Sequence, residues 1–275
     1  MSGILYVTGT PIGNLSDLSP RAAQTLENVD FIAAEDTRVT LKLLNHLGIK
    51  KPMVSYYEHN KRERGEIICA RIEQGENCAI VTDAGMPCIS DPGEDLIKLC
   101  AERGIKTVVV PGPSAVIAAL AVSGLTTGRF CFEGFLSVNK KSRGEHLQSL
   151  LREKRTMIFY EAPHKLPATL RDLYAAFGDR KLSIVRELTK IHEEVIRTTT
   201  KQAAENLSDG SVKGEIVLVL EGAPEAGAER EYSLGDAVAL AKKLIENGER
   251  ATDAAKQAAS MTGLKKNEIY RELIV

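Results

Sequence analysis

Residues 77–103 read NCAIVTDAGMPCISDPGEDLIKLCAER, and this stretch decides the fold class. Cys78–Thr82 is an apolar, β-branched run of strand length, and Glu94–Arg103 repeats apolar residues at helical spacing. Between them lies a loop of Gly, Pro, Asp and Ser. Strand, long turn and helix together form the building unit of a parallel sheet. The same unit recurs on both sides. Strands are expected at Ile4–Thr8, Asp30–Ala34, Pro52–Tyr56 and Thr107–Val110. Helices are expected at Pro20–Asn28, Thr37–Leu47, Lys61–Gln74 and Ser114–Val122. Ser19-Pro20 supplies a cap followed by a proline at the first helical position. The fold class is therefore α/β, with an open, mostly parallel sheet in the first half.

After the small-residue break at 123–128 the pattern changes. Phe130–Phe135, Arg155–Glu161, Leu182–Glu187, Glu194–Thr200 and Glu215–Glu221 read as strands, with only two clear helices, near Ser142–Arg152 and His164–Phe177. The close spacing of 182–187 and 194–200 predicts an antiparallel pair, so this half is a second, mixed α/β domain. A linker is expected at 223–230, and three short helices finish the chain. The predicted organisation is an N-terminal α/β domain at 1–124, a second at 125–223 and a helical unit at 232–275.

At 275 residues the chain can bury two modest cores, and no apolar run approaches the 18 residues of a membrane span. The N-terminus lacks a basic segment followed by a cleavable apolar one, so no signal peptide is expected. A net charge of −1 excludes a globally basic nucleic-acid coat but leaves room for a local basic patch. The five cysteines form no CxxC and the five histidines no HxH or HxxxH. Buried, reduced thiols in a cytoplasmic protein without a zinc site follow from that usage.

Ligands of an open α/β sheet bind outside the carboxyl ends of its strands. Here those ends are Thr8–Gly13, Ala34–Thr37, Thr82–Pro87 and Pro111–Ala115, all on one edge. A polyphosphate is disfavoured there. Neither GxxxxGK[ST] nor GxGxxG occurs, and Glu35, Asp36, Asp83 and Asp91 face only Arg38. A Mg²⁺ pair from Asp83 and Asp91 stays open, although such carboxylates more often shape turns, and Asp91 before Pro92 is expected to cap the next helix. No GxSxG marks Ser90 or Ser114 as a nucleophile. An acidic rim of small residues suits a neutral or cationic ligand held by the main chain, and S-adenosylmethionine, a sulfonium without phosphate, is one.

Eight motifs occur in order: Ile4-Leu-Tyr-Val-Thr-Gly-Thr-Pro-Ile-Gly-Asn-Leu-Ser-Asp17, Ala33-Ala-Glu-Asp-Thr-Arg38, Thr82-Asp-Ala-Gly-Met-Pro-Cys-Ile-Ser-Asp-Pro-Gly93 and Pro111-Gly-Pro-Ser-Ala115, then Phe132-Glu-Gly-Phe135, Phe159-Tyr-Glu-Ala-Pro-His164, Arg186-Glu-Leu-Thr-Lys190 and Lys213-Gly-Glu-Ile-Val-Leu-Val-Leu-Glu-Gly222. The set resembles the bacterial small-subunit ribosomal RNA methyltransferase I family across nearly the whole chain. The resemblance implies the tetrapyrrole methylase fold, with S-adenosylmethionine in the cleft between two α/β domains. It also implies 2′-O-methylation of a cytidine ribose in 16S ribosomal RNA of the 30S subunit, and a homodimer. It places cofactor contacts at Pro11, Ala84, Gly85, Met86, Ile89, Ser114, Ala115 and Glu161, with Asp83 shaping the turn and grouped with them. Met86 stands where threonine is common in the family and Cys88 where leucine is common, so a hydroxyl contact at 86 is lost.

Methyl transfer to a ribose hydroxyl needs in-line positioning and a base, and no metal, because the thioether leaves neutral. Glu35 and Asp36 at the second strand end, and Glu187 with Lys190 in the second domain, are candidates for the base; Glu35 and Lys190 are the pair carried as catalytic. Arg38 and Arg186 are placed as phosphate contacts or carboxylate partners. Of the basic runs at 61–64, 139–143 and 152–155, the second is expected as a loop beside the cleft, offering Lys140, Lys141 and Arg143 to RNA. In the tail, helix, glycine turn and helix follow helix-turn-helix spacing, with Lys265 and Lys266 opening the second helix. A small-molecule methylase of the same fold and a non-catalytic RNA-binding factor remain alternatives.

Overall fold

A computed structural model describes residues 2–207, 212–224, 233–246 and 250–273. The first half alternates β1 (Ile4–Thr8), α1 (Pro20–Asn28), β2 (Phe31–Ala34), α2 (Thr37–Leu47), β3 (Met53–Ser55), α3 (Lys61–Glu73), β4 (Cys78–Val81), α4 (Glu94–Glu102) and β5 (Lys106–Val110). The five strands are all parallel, in the order β3-β2-β4-β1-β5. Every residue of β2 (FIAA) and β4 (CAIV) is buried, as expected of strands covered on both faces. Leu26 of α1 and Leu43 and Leu44 of α2 pack on Ile32, Ala34, Ala79 and Val81. Ile68 and Ile72 of α3 and Leu96 of α4 pack on Phe31, Ala33, Cys78 and Ile80 from the opposite side. The cap at Ser19 forms as predicted, its hydroxyl accepting from Ala22 N at 3.1 Å.

Next come α5 (Ala115–Ser123), β6 (Phe130–Phe135), α6 (Lys140–Ser149), β7 (Thr156–Glu161), α7 (Leu166–Phe177), β8 (Lys181–Arg186), β9 (Glu194–Thr199), α8 (Thr200–Asn206) and β10 (Ile216–Leu220). The second sheet runs β6-β7-β10-β8-β9; β6 and β7 are parallel and the other pairs antiparallel, including the predicted β8–β9 pair. Helices α6, α7 and α8 cover one face through Leu147, Leu170, Leu173 and Ala203. The other face is covered by α5, whose Val116, Ala119 and Leu120 meet Ile158, Val185, Val217 and Val219. Alternation along the chain groups α5 with the first sheet; packing gives it to the second. Arg197 of β9 fixes it there by donating to the last carbonyls of the helix, Val122 O at 2.6 Å and Ser123 O at 3.2 Å.

Two local features depart from expectation. A seven-residue α8, capped by Thr199, follows β9 where the sequence pattern marks no helix. The segment 139–143, expected as a loop, opens α6, because the Asn139 side chain accepts from Lys141 N at 2.9 Å and Ser142 N at 3.2 Å.

Residues Met1–Ala223 form one compact unit and Pro224–Val275 another. In the second, α9 (Leu234–Glu246), α10 (Ala251–Thr262) and α11 (Lys266–Leu273) close around Ala237, Ala241, Ala254, Ala258 and Ile269. Gly263, at φ 74, ends α10 and turns the chain into α11. The expected linker, from 225 on, and position 232 lie outside the described residues. Among the described residues no helix is long and apolar enough to cross a membrane.

Candidate active site

The loops after β1, β4 and β5 converge at the carboxyl edge of the first sheet. Thr10 N donates to Gly85 O at 2.9 Å and Gly85 N to Thr10 O at 3.1 Å, an antiparallel bridge between loops of parallel strands. The Thr10 hydroxyl adds a bond to Thr82 O at 3.1 Å. Gly9 and Gly112 meet main chain to main chain, since a Cβ on either would lie 2.7 Å from the other's Cα. The Met86 sulfur accepts from Gly112 N at 3.3 Å, so its side chain closes this junction.

The bridged loops form a partition, and side chains alternate across it. Ile12 and Ala84 line a cleft towards the second sheet, while Pro11 and Asp83 line a separate cavity of about 200 Å³ with Leu15, Val39 and Lys42. The cleft has two adjoining lobes. One, of about 380 Å³, is walled by Phe135, Tyr160–Pro163, Leu188 and Gly214–Val217. The other, of about 410 Å³, is walled by Gly85, Met86, Ile89, Ser114–Ile117, Phe130 and Phe132. Ile12, Ala84, Asp91, Ala115 and Tyr160 border both and mark their junction. Either lobe is large enough for a small organic ligand. The Ser114 side chain makes no capping bond to α5, whose N-terminus it precedes, and borders the second lobe.

The backbone around the cleft is strained. Gly85 (φ 90), Cys88 (φ 72), Ser90 (φ 62) and Gly93 (φ 139) take the β4 loop through left-handed conformations, two of them at non-glycine residues. Across the cleft, Glu187 (φ 52) and Thr189 (φ 64) do the same after β8. The β1 loop rests on that turn: a Cβ at Gly13 would lie 2.6 Å from Lys190 Cγ.

Asp91 does not cap α4, which begins after Gly93 without a side-chain cap, because the left-handed Gly93 redirects the chain between them. Asp91 borders both lobes instead. Burial, then the nearby Glu35 carboxylate, push its pKa up to about 6 against a bond from Thr82 that lowers it. Glu35 accepts from Thr82 Oγ1 at 2.6 Å and from Asp83 N at 3.4 Å. Asp36 caps α2 and pairs with Arg38, which holds its carboxyl down at about 2. Asp83 is raised by burial and then by Glu35, and its Oδ1 accepts from Asp36 N at 3.2 Å.

Lys190 Nζ donates to Glu187 Oε1 and to Glu215 Oε2, both at 2.9 Å. Burial alone would lower its pKa, but the two carboxylates outweigh burial and raise it, so Lys190 is a fixed ammonium. Glu215 borders the cleft, which Lys190 reaches through it. Glu161, 5% exposed, accepts from Ala162 N at 2.8 Å and from the Thr169 hydroxyl.

The expected RNA contacts divide. Arg38 is 87% exposed, and Lys140 and Lys141 face solvent at the start of α6. Arg143, two residues past Lys141 on the same helix, turns inward: its side chain is 11% exposed, Nε donates to Asp172 Oδ2 at 2.6 Å and Nη2 to Thr169 Oγ1 at 2.8 Å. Arg186 is held by Glu194 Oε2 at 3.0 Å and Lys213 O at 2.9 Å. In the C-terminal unit Lys265 and Lys266 are exposed at the start of α11.

Of the cofactor residues expected from sequence, Ala84, Gly85, Met86, Ile89, Ser114, Ala115 and Glu161 border the cleft; Pro11 and Asp83 lie beyond the partition. The cleft also contains groups not nominated: Asp91, Tyr160, Phe135 and Glu215. The Tyr160 ring carries Phe132 and Phe135 at centroid distances of 4.9 and 5.4 Å. Glu215 had a signal, a lone charge before the wholly apolar β10. Among the described residues no group of three or more His, Cys, Asp or Glu side chains is arranged to hold a metal ion.

The family model of the tetrapyrrole (corrin/porphyrin) methylases matches residues 4–204. A Synechocystis protein named ribosomal RNA small subunit methyltransferase I is 47% identical over 98% of this chain and 96% of its own length. A Thermotoga maritima protein of the same name is 47% identical over 220 residues, which are 80% of this chain but 99% of its own length. Among solved structures, uroporphyrin-III C-methyltransferase from Thermus thermophilus, complexed with S-adenosylhomocysteine, superposes with a TM-score of 0.57 at 17% identity, covering 80% of this chain and 97% of that one. That last likeness is one of fold.

Proposed function

The chain belongs to the tetrapyrrole methylases and, within them, to the ribosomal RNA small subunit methyltransferase I family, and on that premise we propose that it methylates the 2′-hydroxyl of a cytidine in 16S ribosomal RNA. It is an S-adenosylmethionine-dependent methyltransferase. The observation that carries the chemistry is the two-lobed cleft with a half-buried carboxyl, Asp91, at its junction.

The residues present suit the cofactor. Ala84, Gly85 and Ala115 leave main chain open to a ligand, and a Cβ at Gly85 would point at Ile12 and Pro113 O. Asp91, Glu161 and Glu215 make the cleft anionic, which favours a sulfonium and repels phosphate. The rings of Tyr160 and Phe135 offer faces to a purine. Ala84–Met86, Ile89, Ser114 and Ala115 would hold the cofactor from one side and Glu161 from the other. At position 86 the contact is through the main chain, the sulfur being engaged by Gly112. When bound, S-adenosylmethionine supplies an electrophilic methyl group whose thioether leaves neutral.

The protein's own work is to align and to accept a proton. In-line placement of the hydroxyl contributes up to roughly 7–11 kcal/mol. Asp91 is the group that takes the hydroxyl proton, since it is half-buried and borders both lobes. Glu35 acts on it at a distance, its negative charge keeping Asp91 basic. Lys190, held as an ammonium between Glu187 and Glu215, contributes charge at the rim.

RNA meets exposed cations: Arg38, Lys140 and Lys141 on the first unit, and Lys265 and Lys266 on the second. The Thermotoga relative is matched over nearly all its length by 220 residues, close to the length of the first unit here. We assign the C-terminal helices, which expose Lys265 and Lys266, to RNA binding and not to the chemistry. The proposed setting is a cytoplasmic homodimer acting on the 30S subunit. Lys265→Glu with Lys266→Glu is expected to raise the Kd for RNA about tenfold or more and flatten its salt dependence by up to about two log–log units, leaving cofactor affinity unchanged. Gel-shift titrations at several salt concentrations measure this; unaltered RNA binding would make the tail a packing unit.

The whole proposal is tested with methyl-labelled S-adenosylmethionine and 30S subunits lacking their own methylation. Digestion and mass identification of the nucleosides are expected to give labelled 2′-O-methylcytidine. Label on another nucleoside, or cofactor binding without transfer to RNA, would sink the assignment.

A further inference from the structure

Arg143 belongs to a basic run that reads as an RNA patch, yet the fold buries it in a chain of hydrogen bonds ending at the cofactor cleft. Its Nη2 donates to Thr169 Oγ1 at 2.8 Å, and the Thr169 hydroxyl donates to Glu161 Oε2. Thr169 is 1% exposed and Glu161 is 5% exposed. A hydroxyl has one proton. With the guanidinium donating to its oxygen, that proton is available only to acceptors, and Glu161 Oε2 is closer than the alternative, Lys165 O at 3.2 Å. The other Glu161 oxygen accepts from Ala162 N at 2.8 Å. Both carboxylate oxygens are thus fixed in direction before any ligand arrives.

The charges are arranged to the same end. Asp172, 2.6 Å from Arg143 Nε, matches the guanidinium, and Arg143 reaches Glu161 only through a neutral hydroxyl. The guanidinium is compensated by Asp172 and makes no direct ion pair with Glu161, whose oxygens are ordered by neutral donors and left to face a donor in the cleft. We propose that Arg143 is a positioning residue which, through Thr169, orients the Glu161 carboxylate for the cofactor. This rests on the cleft being the S-adenosylmethionine site.

Two variants separate positioning from a clamp between α6 and α7. Thr169→Val removes the hydroxyl and keeps the Arg143–Asp172 pair. Arg143→Lys keeps one ammonium beside Asp172 but cannot also reach Thr169. Isothermal titration with S-adenosylmethionine is expected to show Kd raised about tenfold or more in both, with Thr169→Ser restoring it. The cofactor KM should rise with Kd, and kcat should change less. Wild-type Kd in both variants, or a loss confined to RNA binding, would overturn the relay while leaving the cofactor site standing. If wild type itself fails to bind S-adenosylmethionine, the cofactor site and the relay fall together.

Discussion

Replacing Gly85 by valine is expected to weaken S-adenosylmethionine binding at least a hundredfold in a protein that stays folded. Gly85 sits at φ 90, a conformation that a β-branched residue adopts only under strain. The chain cannot rotate out of it, because Thr10 holds both the N–H and the carbonyl of Gly85. A Cβ there would stand 3.3 Å from Ile12 Cγ2 and 3.5 Å from Pro113 O, and the two further methyls of valine must go beyond it. Ile12 borders both lobes, so pushing it aside deforms the whole cleft. The strain, of order 1–3 kcal/mol, is smaller than the ~5–15 kcal/mol of a folded domain and is confined to loops. Calorimetric titration gives the affinity and thermal melting the integrity. Gly85→Ala should fall between valine and wild type, and unchanged affinity with a normal melt would remove position 85 from the site.

What was legible in the sequence follows from which forces are local. FIAA and CAIV announce strands buried on both faces, and Ser19-Pro20 announces a helix start, because pattern and cap chemistry act within a few residues. The loops at the carboxyl edge are legible for the same reason. The sheet that α5 covers is not. AVIAALAVS is apolar all round, so no face of it names a partner. Nor does sequence show that Ile12 and Ala84 face one cavity and Pro11 and Asp83 another. That division depends on the Thr10–Gly85 bridge, a contact between loops 75 residues apart. Arg143 fails as a surface residue for a reason that could have been read: Asn139 is a good cap, and once 139–143 starts a helix, Lys141 and Arg143, two residues apart, no longer share a face. Lys190 belongs to a turn with two left-handed non-glycine residues, which local propensity argues against, and only that turn brings Glu187 and Glu215 to its ammonium.

Asp91→Asn is expected to cut methyl transfer by about 10²–10⁴-fold, the contribution of a positioned base, with cofactor affinity changed less than tenfold. The amide keeps the shape but cannot take a proton. Wild type should lose activity as pH falls through about 6, where burial and the Glu35 charge place the carboxyl, and should level off above it. The sign for stability runs the other way. A carboxyl raised from 3.8 to about 6 favours the folded state below its unfolded pKa, and that contribution is lost as pH rises through 6. At pH 8 the asparagine variant should therefore melt no lower than wild type, so its inactivity cannot be laid to unfolding. Glu35→Gln supplies the second arm. Removing the neighbouring charge lowers the Asp91 pKa, so the acid limb of the rate profile should move to lower pH while the plateau rate persists. An Asp91→Asn enzyme with wild-type rate and acid limb would pass the role to another carboxylate, with Glu35 first in line. A limb that stays in place in Glu35→Gln would show that the titrating group is not coupled to Glu35, and so is not Asp91.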